Sequence, residues 1–159
     1  MKKTRQKPYD KRTDLEKIQS QWVKLTGLHD RTDWSAAVVR AATATEIAVN
    51  FAIRREFEAQ SKLDLAFIDG LLLWANGLSG KLDKLLLPLL KGRDNREAVK
   101  DLCKLARGIN DKRNKITHSG EFCDEAAATA LIKDCQTFVH GIVRLYDKGF
   151  TLKERSSAD

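Results

Sequence analysis

The residues of this chain best suited to chemistry gather in one stretch. Between Arg107 and Gly120 the sequence reads RGINDKRNKITHSG, which sets Arg113 beside Asn114 and places His118 four residues after the Asn. Arginine offers phosphate oxygens a planar fork of donors and keeps its charge at any working pH. Histidine titrates close to neutrality, so one imidazole can serve as base or acid. Asparagine can orient that ring or add a neutral hydrogen bond. An Arg, an Asn and a His can therefore hold a phosphodiester and move a proton. Those are the tasks of RNA self-cleavage: deprotonating a ribose 2′-OH, stabilising charge on the attacked phosphate and protonating the leaving 5′-oxygen. One Arg and one His are few for three tasks, and a symmetric dimer with two copies side by side would double them.

On a helix advancing about 100° per residue, Asn114 and His118 share a face about 40° apart, whereas Arg113 lies about 140° from His118. Either the last turn distorts before Gly120, or the long Arg side chain reaches across.

Charge supports an anionic partner at this place. The chain carries +7 from 29 basic and 22 acidic residues. The excess sits in two blocks: residues 1–12, with six basic and one acidic, and residues 91–118, with nine basic and four acidic. The first reads as a flexible, solubilising arm. The second surrounds the motif, making Lys104, Arg107, Lys112 and Lys115 candidate RNA-binding residues.

The elements that must position these groups read as helices. Two Pro and nine Gly in 159 residues are too few for the turns of a sandwich or barrel, and no segment alternates at period two. Thr13-Asp14-Leu15-Glu16 is a capping box opening a helix with Leu15, Ile18, Trp22 and Leu25 on one stripe and Gly27 as its stop. Asp33 or Thr32 caps a long second helix to about Gln60, apolar on two sides and central. Glu46 lies among its apolar positions and needs a partner, for which an Arg is expected. Ser61-Lys62-Leu63-Asp64 caps a short helix to Ala75. A loop through Asn76-Gly77 and Ser79-Gly80 leads to a brief helix over 82–90, kinked or ended near Pro88. Asp94-Asn95-Arg96-Glu97 is a third capping box, opening the motif helix with Ala98, Leu102, Leu105, Ile109 and Ile116 as its stripe. Asp124 caps the last helix, which buries Leu131, Cys135, Phe138, Ile142 and Leu145 and ends near Gly149. The expected fold is an all-α antiparallel bundle of about five to six helices. The expected organisation is a basic arm over 1–12, one helical domain over 13–150 and a tail over 151–159.

Cys103, Cys123 and Cys135 are an odd number without metal-ligand spacing, so no disulfide framework, metal or cofactor is expected. The cysteines read as core fillers. No apolar run approaches the roughly 18 residues of a membrane span, and the basic N-terminus is followed by no hydrophobic signal core. A cytoplasmic protein without a membrane partner is expected. His29 reads as loop and His140 as solvent-exposed, while Trp22, Trp34 and Trp74 read as core or dimer packing rather than base-stacking residues.

Arg113-Asn114-x-x-x-His118, followed by Ser-Gly at the end of a penultimate long helix, resembles the RNxxxH form of the Rx4-6H motif of the HEPN superfamily (higher eukaryotes and prokaryotes nucleotide-binding domains). The long helix bearing Glu46 and the closing amphipathic helix are similar as well, and the likeness in layout spans residues 13–147. The resemblance implies a homodimeric, metal-independent endoribonuclease of toxin–antitoxin, abortive-infection or other antiphage systems, with RNA as substrate and an antitoxin or regulatory partner. It assigns catalysis to Arg113 and His118 from both protomers, with Asn114 as polar companion, and Glu46 as either a catalytic or a structural acid. Gly120 stands where toxins paired with a nucleotidyltransferase antitoxin carry Tyr, which argues against that subgroup. The rival readings are a non-catalytic RNA- or nucleotide-binding or protein-interaction module of the same shape, and a DNA-binding bundle with a basic arm. In those readings Arg113 is a surface residue and His118 a cation at the helix C-terminus.

Overall fold

The computed structural model describes residues 7–75 and 77–154, and among them helices alone form the regular structure. Helix α1 (Asp14–Asp30) starts at the expected box, with Glu16 N–H donating to Thr13 Oγ1 at 3.2 Å and Thr13 N–H donating to Glu16 Oε2 at 2.6 Å. Gly27 does not stop it. That glycine is buried within α1, and the helix closes one turn later at Thr32, whose φ of 62° is left-handed. Thr32 N–H donates to His29 O and Asp33 N–H to Leu28 O, both at 2.9 Å, the paired closure usually built on glycine. His29 is therefore part of the last turn, and its Nε2 lies 2.9 Å from Thr129 Oγ1.

Asp33 then caps α2 (Trp34–Gln60), accepting from Ala36 N–H. As its two apolar sides require, α2 is central: α1 (Asp14–Asp30), α6 (Arg96–Ser119) and α7 (Glu125–Val143) all pack against it. By length and composition alone α2 could cross a membrane, but half of its most apolar window is buried, the pattern of a core helix.

Helix α3 (Leu65–Trp74) is capped by Asp64, which accepts from Phe67 N–H at 2.7 Å. Ser61 serves the preceding helix instead, donating to Phe57 O at 2.8 Å. Asn76 of the expected loop lies outside the described residues. Gly77–Lys81 is already helical (α4), despite Ser79 and Gly80, and continues through a π-helical turn, Leu82–Leu86, into α5 (Leu87–Leu89). Leu78, Leu82, Leu86 and Leu90 are all buried. A row repeating every four residues drifts about 40° per step around an α-helix, and the wider π turn brings it back to the core. Burial of that row outweighs the poor helix propensity of Gly and Ser.

Helix α6 (Arg96–Ser119) lacks the expected capping box. Asn95 makes no side-chain cap bond, and Glu97 turns to Arg96 and Lys100. Its buried stripe is Val99, Cys103, Ala106 and Ile109, turned by about 100° from Ala98, Leu102 and Leu105. Leu102 occupies a groove beside α7, where a Cβ on Gly141 would come within 2.6 Å of Leu102 Cδ1. Helix α7 (Glu125–Val143) is capped by Asp124, buries Cys135, Phe138 and Ile142, and ends at Val143, six residues before Gly149; Leu145 is exposed and Leu131 half-buried. The chain then folds back onto α1, where the Gln19 side-chain amide pairs with both the N–H and C=O of Lys153.

The three cysteines are free and buried, and burial pushes the thiols of Cys103 and Cys135 up to about 11 and about 12. Of the expected arm, residues 1–6 lie outside the description. Residues 7–12 lie against α1, through Lys7 to Glu16, Arg12 to Ser20 and Tyr9 to Gln21. Of the expected tail, residues 155–159 lie outside the description and Leu152 is buried.

Candidate active site

Helix α6 stays regular through Ser119 and ends on Gly120, whose φ of 65° suits a residue without Cβ. The last turn therefore does not distort to bring Arg113 to His118. What holds this end in place is a small second cluster: Val38, Cys123 and Ala128, with Trp34, Ile116, Ala127 and Leu131 against them. Ser35 Oγ accepts from Cys123 N–H at 2.9 Å, tying the turn after α6 to the start of α2.

The motif divides into a pair and a separate group. Arg113, half-buried, donates from Nη1 to Asn114 Oδ1 at 3.0 Å. His118 is exposed one turn further on, on the Asn114 side of the helix. Arg113 points elsewhere. Val99, Cys103 and Ala106 form the buried stripe at alternating steps of four and three, and the same steps continue to Asn110, Arg113 and Thr117. The core stripe thus becomes polar in its second half, with Arg113 within about 20° of the direction taken by Ala106.

The surrounding charge is more neutralised than its sequence count implies. Of nine basic residues between 91 and 118, Arg93, Arg96, Lys100, Lys104, Arg107 and Lys112 have a carboxylate within ion-pair distance. Three of the four expected RNA-binding residues are among them: Lys104 with Asp101 at 2.7 Å, Arg107 with Asp83, and Lys112 with Glu121. The hydrogen bonds that Lys104 and Lys112 donate to Asp101 and Glu121 raise the pKa of both lysines, so both stay charged. Among the described residues Lys91, Arg113 and Lys115 have no such partner. Two of these three flank Asn114. Exposed pairs contribute little stability, so the paired lysines can exchange a carboxylate for a phosphate.

Glu46 is not with the motif. Its Oε1 accepts from Lys81 Nζ at 2.7 Å, and the lysine is the buried member, 7% exposed against 48%. The expected Arg partner is thus replaced by a Lys, and Glu46 lies about 12 Å along α2 from Val38, beside which the motif helix ends. Lys81 and Asp83, two residues apart, bridge outward to Glu46 and Arg107.

The deeply buried acid of α2 is Glu56, 1% exposed, which sequence reasoning missed. Arg93 Nη2 donates to it at 2.8 Å, Gln60 Nε2 at 2.6 Å and Tyr146 Oη at 2.7 Å. Burial and the Glu56 carboxylate push the Tyr146 phenol well up. The available signal was the step of four from Ala48 to Ala52 to Glu56 on one buried row. His140 was also misread. Its Nε2 accepts from Leu152 N–H at 3.1 Å, its ring meets Phe150 edge-on, and burial lowers its pKa. Trp22 is core and Trp34 half-buried, but Trp74 is 79% exposed.

Among the described residues no cluster of three or more His, Cys, Asp or Glu could hold a metal ion. The chain matches no family model, no curated protein and no solved structure.

Proposed function

We propose that this chain is a HEPN-like endoribonuclease that cleaves RNA without a metal, leaving a 2′,3′-cyclic phosphate and a 5′-OH. The observation carrying the reading is the end of α6: Arg113 and Lys115, without carboxylate partners among the described residues, flank Asn114 one turn from an exposed His118. In this mechanism Arg113, oriented by Asn114, holds the scissile phosphate. His118 takes the 2′-OH proton or delivers one to the leaving 5′-oxygen. Since α6 sets Arg113 and His118 about 140° apart, a second protomer contributes the complementary group across a two-fold interface. Glu46 is a structural partner of Lys81. Lys104, Arg107, Lys112 and Lys115 hold flanking phosphates, so binding weakens steeply with salt. The biological setting that goes with this reading is a toxin or antiphage effector held in check by a partner.

The test is incubation of the purified protein with mixed RNA in EDTA, beside folded His118→Ala and Arg113→Ala variants. Cleavage by wild type, lost in both variants, supports the reading; magnesium dependence or indifference to His118→Ala rejects the mechanism. One observation favours a second reading, an RNA-binding module without catalysis: in a single chain Arg113 and His118 share no face. Retardation of intact RNA in a gel would select it.

A further inference from the structure

Helix α3 (Leu65–Trp74) packs against the bundle by one side, with only Ile68 and Leu72 buried, against α2. The opposite side carries Ala66, Phe67, Gly70, Leu73 and Trp74, all exposed and none charged; Leu73 is 87% exposed and Trp74 79%. Leu63 and Leu65 are also exposed at the N-terminal end of α3, Leu65 about 140° around the helix from Gly70. With aromatic side chains offering roughly 150–250 Å² each, these residues expose on the order of 500 Å² of apolar area, the upper range for a monomer's largest patch. A stable interface takes about 800 Å² per partner, so this patch is the size of an apolar centre to which a polar rim is added.

We propose that the outer face of α3 is a self-association surface that docks on a second copy of this chain. Two features select that occupant. The first is charge. Two copies at +7 repel each other, yet the charged residues bordering this face carry no positive excess: Lys62 and Arg54 stand against Asp14, Asp64 and Asp69, with Arg54 held by Asp69 at 2.8 Å and by Asp14 at 2.9 Å. An anionic bilayer would call for a basic rim, and the basic blocks lie in other segments. The second feature is shape. Gly70 sits mid-face with nothing within 4 Å of where a Cβ would be, between the ridges of Phe67, Leu73 and Trp74. A two-fold crossing at Gly70 brings one helix's ridges beside the other's gap, as an isologous contact requires.

This surface is separate from the motif. Asp69 reaches α2 at Arg54, whereas the motif's end packs beside Val38, sixteen residues or about 24 Å along the helix. Pairing through α3 therefore leaves the two motifs apart. A protein that also pairs at the motif has two interfaces and forms a higher assembly.

Sedimentation velocity over a concentration series tests the proposal on wild type, a Leu73→Glu/Trp74→Glu double variant and Gly70→Leu. Wild type should assemble, and both variants should lose a factor of two in assembled mass with unchanged circular dichroism. Gly70→Leu should also melt no lower than wild type, since leucine is the better helix former and the site is open. Three outcomes overturn it: wild type monomeric at every concentration, variants keeping the wild-type mass, or monomeric wild type co-sedimenting with phosphatidylcholine vesicles that the double variant ignores. Whatever RNA behaviour wild type shows should persist in both variants, so failure here and failure of the nuclease reading are told apart.

Discussion

Arg113 is hydrogen-bonded to the residue that follows it: its Nη1 donates to Asn114 Oδ1 at 3.0 Å, a bond between neighbours on a helix. The contact holds the guanidinium with a neutral acceptor and leaves its charge for an incoming anion. Asn114→Asp turns that acceptor into an ion-pair partner and should reduce the steepness of RNA binding against salt by about one released counterion. Asn114→Ala should lower cleavage less than Arg113→Ala, which should lose about 10²–10⁴-fold if Arg113 stabilises the transition state. Filter binding at several salt concentrations, with timed cleavage gels, reads both.

Glu56 is a buried carboxylate with three donors: Gln60 one turn along α2, and Arg93 and Tyr146 from distant parts of the chain. Glu56→Ala leaves the Tyr146 hydroxyl without its acceptor, while Arg93, 43% exposed, and Gln60, which also donates to Leu89 O, turn to solvent; it should cost about 1–3 kcal/mol. Tyr146→Phe removes one bond to a charged acceptor and should cost about 1.5–3 kcal/mol. Urea unfolding of both single variants and the double should give a sum larger than the double, because the two residues share one bond.

The His140 imidazole accepts from Leu152 N–H and is held below its ordinary pKa, first by burial and then by Arg144. A histidine harder to protonate when folded than unfolded adds stability above its unfolded pKa of about 6.5, lost progressively as pH falls below that value. Wild type should therefore lose melting temperature between pH 7.5 and 5.5, and His140→Ala should lose less. The protection factor of the Leu152 amide, its exchange rate set against the intrinsic rate at each pH, should fall over the same interval.

Thr13→Ala removes half of a complete capping box and should cost about 1 kcal/mol. Asn95→Ala should be neutral or slightly stabilising, since Asn95 makes no cap bond and its Oδ1 is buried without a partner among the described residues. Chemical denaturation of the two variants side by side gives the comparison.

Helix content and its order were legible because Thr13, Asp33 and Asp124 act through the next turn of backbone, a relation contained within four residues. What was misread depends on contacts across the chain. Gly27 looked like a stop because nothing local shows that its bare backbone is buried in the bundle. The stripe of α6 was turned because Leu102 and Leu105 outrank Val99 and Cys103 in hydrophobicity, while the gap opposite Gly141 gives Leu102 a place to one side. Within the motif, the Arg113–Asn114 contact joins sequence neighbours, whereas the pairing of Lys104, Arg107 and Lys112 was hidden by counting charge per segment. Glu46 and Glu56 sit on one helix among apolar neighbours. Glu56 continues the buried row of Ala48 and Ala52, but its partners Arg93 and Tyr146 lie beyond any local spacing.

The Glu56 cluster also bears on the order of events in folding. Its carboxylate and the Tyr146 hydroxyl are 90 residues apart in the chain, so the bond closes only once the end of α7 lies against α2. Contacts completed that late are weak in the transition state, and removing them should leave the folding rate nearly unchanged while speeding unfolding. The cluster then acts as a latch on the finished bundle, setting how long the native state lasts rather than how fast it forms.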